Sequence, residues 1–327
     1  MSAGIRFLRL LAIFGGILGL GTLLPRAVNP YLAQIITLSG INIILAVSLN
    51  LINGITGQFS LGHAGFMGIG AYVAASITIF ITEPFLARPG WIGSSHDIIA
   101  GMAVGIAVLA GGICAALAGL LVGIPSLRLK GDYLAIATLG FGEIIRIVIL
   151  NTDKVGGPRG MGGILPLSSF FWVYAWAFLG IMVIARLIHS IRGKAFLAIR
   201  EDEFAASLVG IDTTRYKVIA FTVGSFFAGA AGGLFAHSST GYINPSQFDT
   251  LKSIEIVVMV VLGGLGSMSG AIIAAIILTV LPEMLRGFSE YRMVVYSLLL
   301  VVVMLTRPQG LMGMKEIRWP RSWQKSS

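Results

Sequence analysis

Hydrophobic residues in this chain come in blocks, not in alternation. Apolar runs cover residues 5–24, 32–52, 61–81, 98–122, 133–150, 170–188 and 218–237, followed by a glycine-interrupted stretch over 253–285 and a last run at 291–306. The uninterrupted runs are close to the roughly 20 residues that an α-helix needs to cross a bilayer core. The pattern therefore predicts membrane helices. The stretch 253–285 is too long for one crossing and short for two with a turn. Gly263, Gly264, Gly266 and Gly270 cut it in the middle, which predicts two short helices meeting at a break, with an even number of crossings.

One long segment breaks the pattern. Residues 186–217 are polar and carry Arg192, Lys194, Arg200, Arg215 and Lys217, so the positive-inside rule puts them in the cytoplasm. Residues 200–209 have helical spacing: Phe204, Leu208 and Ile211 recur at i, i+4 and i+7, behind Glu201, Asp202 and Glu203. The spacing predicts one amphipathic helix that ends at Gly210, within the loop 189–217, and is offered to a partner.

Composition sharpens this reading. The 327 residues are 56% hydrophobic and 11% charged, against about 25% charged in a soluble domain, which excludes a soluble fold. The net charge of +9 does not point to nucleic acid, because the basic residues cluster beside the spans, where they set topology and meet anionic lipid headgroups. With the N-terminus and the basic tail 307–327 both cytoplasmic, roughly fifteen Lys and Arg fall inside and roughly seven outside. Arg6 and Arg9 ahead of the first apolar run read as the flank of a retained span. The single Cys114 reads as a small buried hydrophobe. The expected fold class is an all-α polytopic membrane protein of about ten membrane segments with glycine-broken or re-entrant helices, forming a single transmembrane domain over 1–327.

Candidate chemistry lies at the breaks. Asn53, Gln58, Ser60 and His63 sit among closely spaced glycines between two apolar runs. Polar groups at membrane depth are costly without protein or water partners, so the cluster predicts a broken helix lining a solute passage, with Gly264 and Gly266 in the second break as its counterpart. For each single glycine, close helix packing is the plainer reading, and the faces around 62–70 and 263–270 are expected to meet a second subunit. Glu143 and Arg146, spaced i, i+3 in an apolar run, form an ion pair on one helix face, either within the membrane or at its outer edge. The sequence holds no Walker A motif, no nucleophile elbow and no H-E-x-x-H, so neither catalysis nor a cofactor nor a metal is expected, and any energy source lies on another polypeptide.

Four ordered blocks carry a family resemblance: NGITGQFSLGHAGFMGIGAY (53–72), GDYLAIATLGFGE (131–143), GKAFLAIREDEFAASLVGI (193–211) and VVMVVLGGLGSMSGA (257–271). They resemble the bacterial branched-chain amino-acid ABC transporter permeases, and the second block is similar to the M-type of that system's two permease subunits. The resemblance implies an ABC importer permease fold in the inner membrane. It also implies a second homologous permease, two cytoplasmic ABC ATPases and a periplasmic or extracellular solute-binding protein. Glu203, Ala205, Ala206 and Gly210 are similar to the E-x-A-A-x-x-x-G pattern of loops that dock on the ATPase, with Phe204 where the general pattern has Ala; Arg200 and Glu201 complete the expected coupling helix. The alternatives are a permease of this type for urea, short amides or other small solutes, and an ion-coupled secondary carrier. The carrier would want carboxylates deep in several spans and no docking helix.

Overall fold

A computed structural model describes residues 29–82, 94–285 and short pieces between 297 and 313, with positions 128, 130, 239 and 240 excepted. The expected first span, most of the last one and nearly all of the basic tail lie outside the described residues. Helix α1 (Pro30–Asn50) opens with Asn29, whose side chain accepts from Tyr31 N, and with proline at its first position, a start signal that needs no backbone donor there. A π-helical turn over Leu51–Ile55 extends it. Then come α2 (His63–Ile77), α3 (Ser94–Ser126), α4 (Asp132–Leu150) and α5 (Phe170–Ile188). By length and composition, six of the described helices can cross a membrane, the sixth being α8 below.

The expected amphipathic helix over 200–209 is corrected. Two helices share that region, α6 (Ile191–Glu201) and α7 (Glu203–Leu208), divided at Asp202, whose backbone is extended (φ −157°, ψ 110°). The break arises because the Asp202 carboxylate accepts from Phe204 N at 2.8 Å and Ala205 N at 3.0 Å, and an N-cap residue is non-helical. Asp212 caps the next helix in the same way, accepting from Arg215 N at 3.0 Å. Helix α8 (Thr213–Ala236) therefore starts five residues before the apolar run does. Helices α9 (Thr250–Gly263) and α10 (Met268–Met284) meet at Gly264, as the glycine break predicts.

The core is α1, α2, α3 and α8. Their backbones approach through glycine: a Cβ at Gly70 would lie 1.9 Å from the Gly229 carbonyl oxygen, and one at Gly111 would lie 2.6 Å from the Gly70 oxygen. Such contacts maximise dispersion where lipid supplies no hydrophobic drive. The expectation that the faces around 62–70 and 263–270 meet a second subunit is corrected by these distances. Gly62 packs on Thr138, Gly65 on Gly142, Gly68 on Phe248 and Gly263 on Gly270, all within this chain. Helix α1 is buried along most of its length, whereas α4 and α5 keep most of theirs outside.

The bundle has two distinct ends. At one lie α6, α7, the turn after Ile55, the break at Gly264 and residues 309–313, whose Leu311 N donates to Leu262 O at 2.7 Å. At the other, strand β1 (Met161–Gly162) pairs antiparallel with β2 (Tyr242–Ile243), and Ser168 N donates to His237 O at 3.0 Å. The two loops 151–169 and 237–249 are thereby tied to each other.

Candidate solute path and coupling segment

Helix α6 is held by its apolar side. Phe196 is fully buried and meets Tyr216 of α8 edge-on, with ring centroids 5.9 Å apart. Helix α7 is anchored by Ala206, which is 3% exposed, and by Glu203, which pairs with the buried Lys217 at 2.6 Å. Gly210 takes a left-handed turn (φ +86°) and Ile211 N returns to Ala206 O at 3.1 Å, which closes the helix end. The acidic run is thus committed within the chain: Glu201 pairs with Arg200 at 2.7 Å, Asp202 caps and Glu203 holds Lys217. What remains outward is apolar. Phe204 is 68%, Leu208 72% and Val209 76% exposed. Val209 takes the place on this patch that the spacing assigns to Ile211, which is half-buried, because the helix ends before it.

Arg200 joins this segment to both glycine breaks. Its Nη1 donates to Gly54 O at 3.4 Å. A Cβ at Gly266 would lie 3.0 Å from that nitrogen, and one at Gly57 would lie 3.1 Å from Arg200 Cγ. The breaks also meet directly, since Gly266 N donates to Asn50 Oδ1 at 2.9 Å. The contact of the first break with the second is a feature that sequence spacing does not reveal. The one available signal is that both breaks carry glycine where the other chain segment comes closest. Gly264 (φ +110°) packs against the backbone of 309–313.

Beyond Gly57 the chain runs without regular secondary structure to His63, where α2 begins. Asn53 closes this stretch, donating from Nδ2 to Ser60 O at 3.3 Å and accepting from Ser60 N at 3.1 Å. Gln58 Nε2 donates to Thr56 Oγ1 at 2.9 Å. Leu61 N donates to Thr138 Oγ1 of α4 at 3.0 Å, and Ala64 N to Ser253 Oγ of α9 at 3.1 Å. His63 Nε2 lies 2.9 Å from Ser48 Oγ. That hydroxyl already donates to Leu45 O, so Nε2–H is the donor and Nδ1 is an acceptor. Asn53, Gln58, Ser60 and His63 are all buried. Among the described residues, four buried polar atoms here meet no protein partner: Asn50 Nδ2, Gln58 Oε1, Ser60 Oγ and His63 Nδ1. Buried polar atoms are normally satisfied, so this run of unmatched groups sets the stretch apart from the apolar core around it.

A family model described as "Branched-chain amino acid transport system / permease component" matches residues 31–304. The chain belongs to this family. The permease is 38% identical to LivM, a high-affinity branched-chain amino acid transport system permease protein of Escherichia coli strain K12, covering 89% of this chain and 72% of that protein. It is 28% identical to LivH of Salmonella typhimurium, over 86% of this chain and 94% of that one. A probable LivM of Methanocaldococcus jannaschii is 26% identical, over 88% and 95%. Among solved structures, a chain of PsaBC from Streptococcus pneumoniae in complex with Fab covers 91% of this chain and 97% of that chain, at 15% identity and a TM-score of 0.43; nothing here is built on that likeness.

Proposed function

We propose that the permease is the membrane-spanning subunit of an ATP-driven importer for branched-chain amino acids, working with a second homologous permease, two cytoplasmic ATPases and an external solute-binding protein. The observation that carries this reading is the patch on α7. Phe204, Leu208 and Val209 are exposed on the end of the bundle that also bears α6 and its basic residues, while every acidic neighbour is occupied and Ala206 is pinned underneath. An apolar helical face held rigidly outside the membrane suits insertion into a groove on another subunit. ATP-driven movement of that subunit would shift α6 and α7, and through Arg200 both breaks together. In this reading α6, α7 and residues 309–313 face the cytoplasm of an inner-membrane protein. The stretch Asn53–Ser60–His63 then lies along the solute path, with Gly264 and Gly266 at its inner end.

Reconstitution tests the reading. The permease is combined in proteoliposomes with the second permease, ATPases and binding protein from its own gene neighbourhood, and ATP-dependent uptake of leucine, isoleucine and valine is measured. Phe204→Glu and Leu208→Glu should each abolish uptake and ATPase retention while membrane insertion is kept. Ion-gradient-driven uptake by the permease alone would overturn it, and uptake of urea or short amides in place of leucine would overturn the choice of solute.

A further inference from the structure

The segment that presents the apolar patch is held to the bundle at two separate places. Its helices α6 and α7 share one joint. Asp202 N donates to Ala198 O at 3.1 Å and closes α6, while Asp202 O accepts from Ala206 N at 3.0 Å and opens α7. The backbone of Asp202 itself is extended. The two helices therefore have no common hydrogen-bond ladder, and motion of one is not passed rigidly to the other.

Each helix has its own hold. Helix α6 reaches Gly54 and Gly266 through Arg200. Helix α7 reaches α8 through Glu203, with both carboxylate oxygens. Oε2 pairs with Lys217 Nζ at 2.6 Å, and Oε1 accepts from Thr213 Oγ1 at 3.5 Å. Thr213 and Lys217 are spaced i, i+4, so they share one face of α8. Among the described residues, Lys217 is the only lysine, arginine, aspartate or glutamate that is buried. Pulling Glu203 away would strand that charge, so the pair resists separation even though such pairs add little net stability. The contact of Phe196 in α6 with Tyr216 in α8 is of another kind. It is edge-on ring packing, which tolerates sliding.

Helix α8 has little slack of its own. A Cβ at Gly232 would lie 1.9 Å from Met67 O of α2, one at Gly229 would lie 2.3 Å from Ala115 Cβ of α3, and one at Gly224 would lie 2.5 Å from Ile52 Cδ1. Interiors packed this closely transmit a displacement and do not absorb it. Whatever holds α7 to α8 therefore connects the exposed patch to the core helices.

We infer that Lys217 is a positioning residue of the transport cycle: it fixes α7 to α8, so that a push on Phe204 and Leu208 moves the core, by a route distinct from the one through Arg200. The inference rests on the importer reading and names the residue that passes on the movement of the ATPase.

The test uses the complete transporter in proteoliposomes and reads leucine uptake per ATP hydrolysed. Lys217→Met keeps the apolar stem and removes the charge. It should lower uptake per ATP at least tenfold, with permease accumulation, ATPase retention and hydrolysis within twofold of wild type. Wild-type uptake per ATP in this variant would overturn the inference. A tether decides the matter even where Lys217→Met does not accumulate. Glu203→Cys and Lys217→Cys are combined in a Cys114→Ser background and joined by a short bis-methanethiosulfonate linker. The linker should raise uptake per ATP at least fivefold over the unlinked protein, and reduction should reverse the gain. No gain, or a further loss, would show that α7 and α8 need not move together and would overturn the inference. A failed importer reading shows instead as wild-type vesicles without ATP-dependent leucine uptake.

Discussion

The two glycine-rich breaks touch each other but are built on different plans. The second, at Gly264–Gly266, is compact. Two residues with positive φ turn the chain, Ser267 caps α10 by accepting from Gly270 N at 3.1 Å, and residues 309–313 clamp it from outside. Its backbone groups find partners in the turn itself, in Leu311 and Met312 and in Asn50. The first break is long. It begins with a π-helical turn, passes Arg200 and then climbs back through Gln58 and Ser60 to His63. It holds four buried polar atoms without a protein partner among the described residues. In the proposed reading the difference separates a pivot from a track: the short glycine turn fixes where two half-helices meet, whereas the longer polar stretch keeps groups for the solute.

The largest effect expected from this contrast is at the contact between the breaks. A side chain at Gly54 would meet Asn50 Oδ1 at 2.1 Å and Gly266 N at 2.3 Å. Gly54→Val should therefore cost about 3 kcal/mol or more and reduce folded permease in membranes to a small fraction of wild type, read by fluorescence size-exclusion of solubilised protein. Wild-type accumulation of Gly54→Val would break the picture of a fixed pivot.

Next comes Arg200, the side chain that touches both breaks. Arg200→Ala should leave the permease folded, since the group is partly exposed and its ion partner Glu201 is a surface residue. ATP hydrolysis by the assembled transporter should continue while uptake falls about tenfold, because α6 loses its grip on Gly54 and Gly266. Retained coupling between hydrolysis and uptake would show that the link runs elsewhere.

A smaller effect is expected in the track. Gln58→Leu removes one hydrogen bond, to Thr56, and one unpartnered oxygen. These oppose each other, so stability should change by less than about 1 kcal/mol. Uptake should fall severalfold with unchanged accumulation. Equal uptake would identify the stretch as scaffold. The smallest change separates two neighbours on α7. Ser207→Ala, at an exposed hydroxyl bonded to Phe204 O at 2.7 Å, should alter ATPase retention less than twofold, in contrast to the loss expected at Phe204.

Much of the architecture was legible in the sequence. Spans at 133–150 and 170–188 agree with α4 and α5 to within a residue, because each is a mainly apolar run about one membrane crossing long. The glycine break at 263–266 was equally plain. The spacing of residues 200–209 points to one helix where the structure has two, since the cap that divides it is a single Asp among three acidic residues, and which of the three turns its carboxylate onto the backbone is not a matter of spacing. The glycine faces suit close packing in the sequence reading, and the structure packs them against other helices of the same chain. Periodicity tells which face is small, not what lies against it.

What the sequence alone determined was the kind of each segment: membrane helices for the apolar runs, a polar helical segment for the basic loop, and a break where glycines cut the stretch 253–285. These follow from transfer free energies and backbone sterics, which act on each residue locally. Only the tertiary structure decided that Asn50 reaches Gly266, that Arg200 reads both breaks, that Glu203 is spent on Lys217, and that Glu143 accepts from Thr250. Each of these is a contact between segments distant in the chain or held apart by a turn. It depends on how helices of nearly uniform apolar composition pack, and their hydrophobic pattern is compatible with many arrangements. Close glycine contacts and a few polar bonds select one of them.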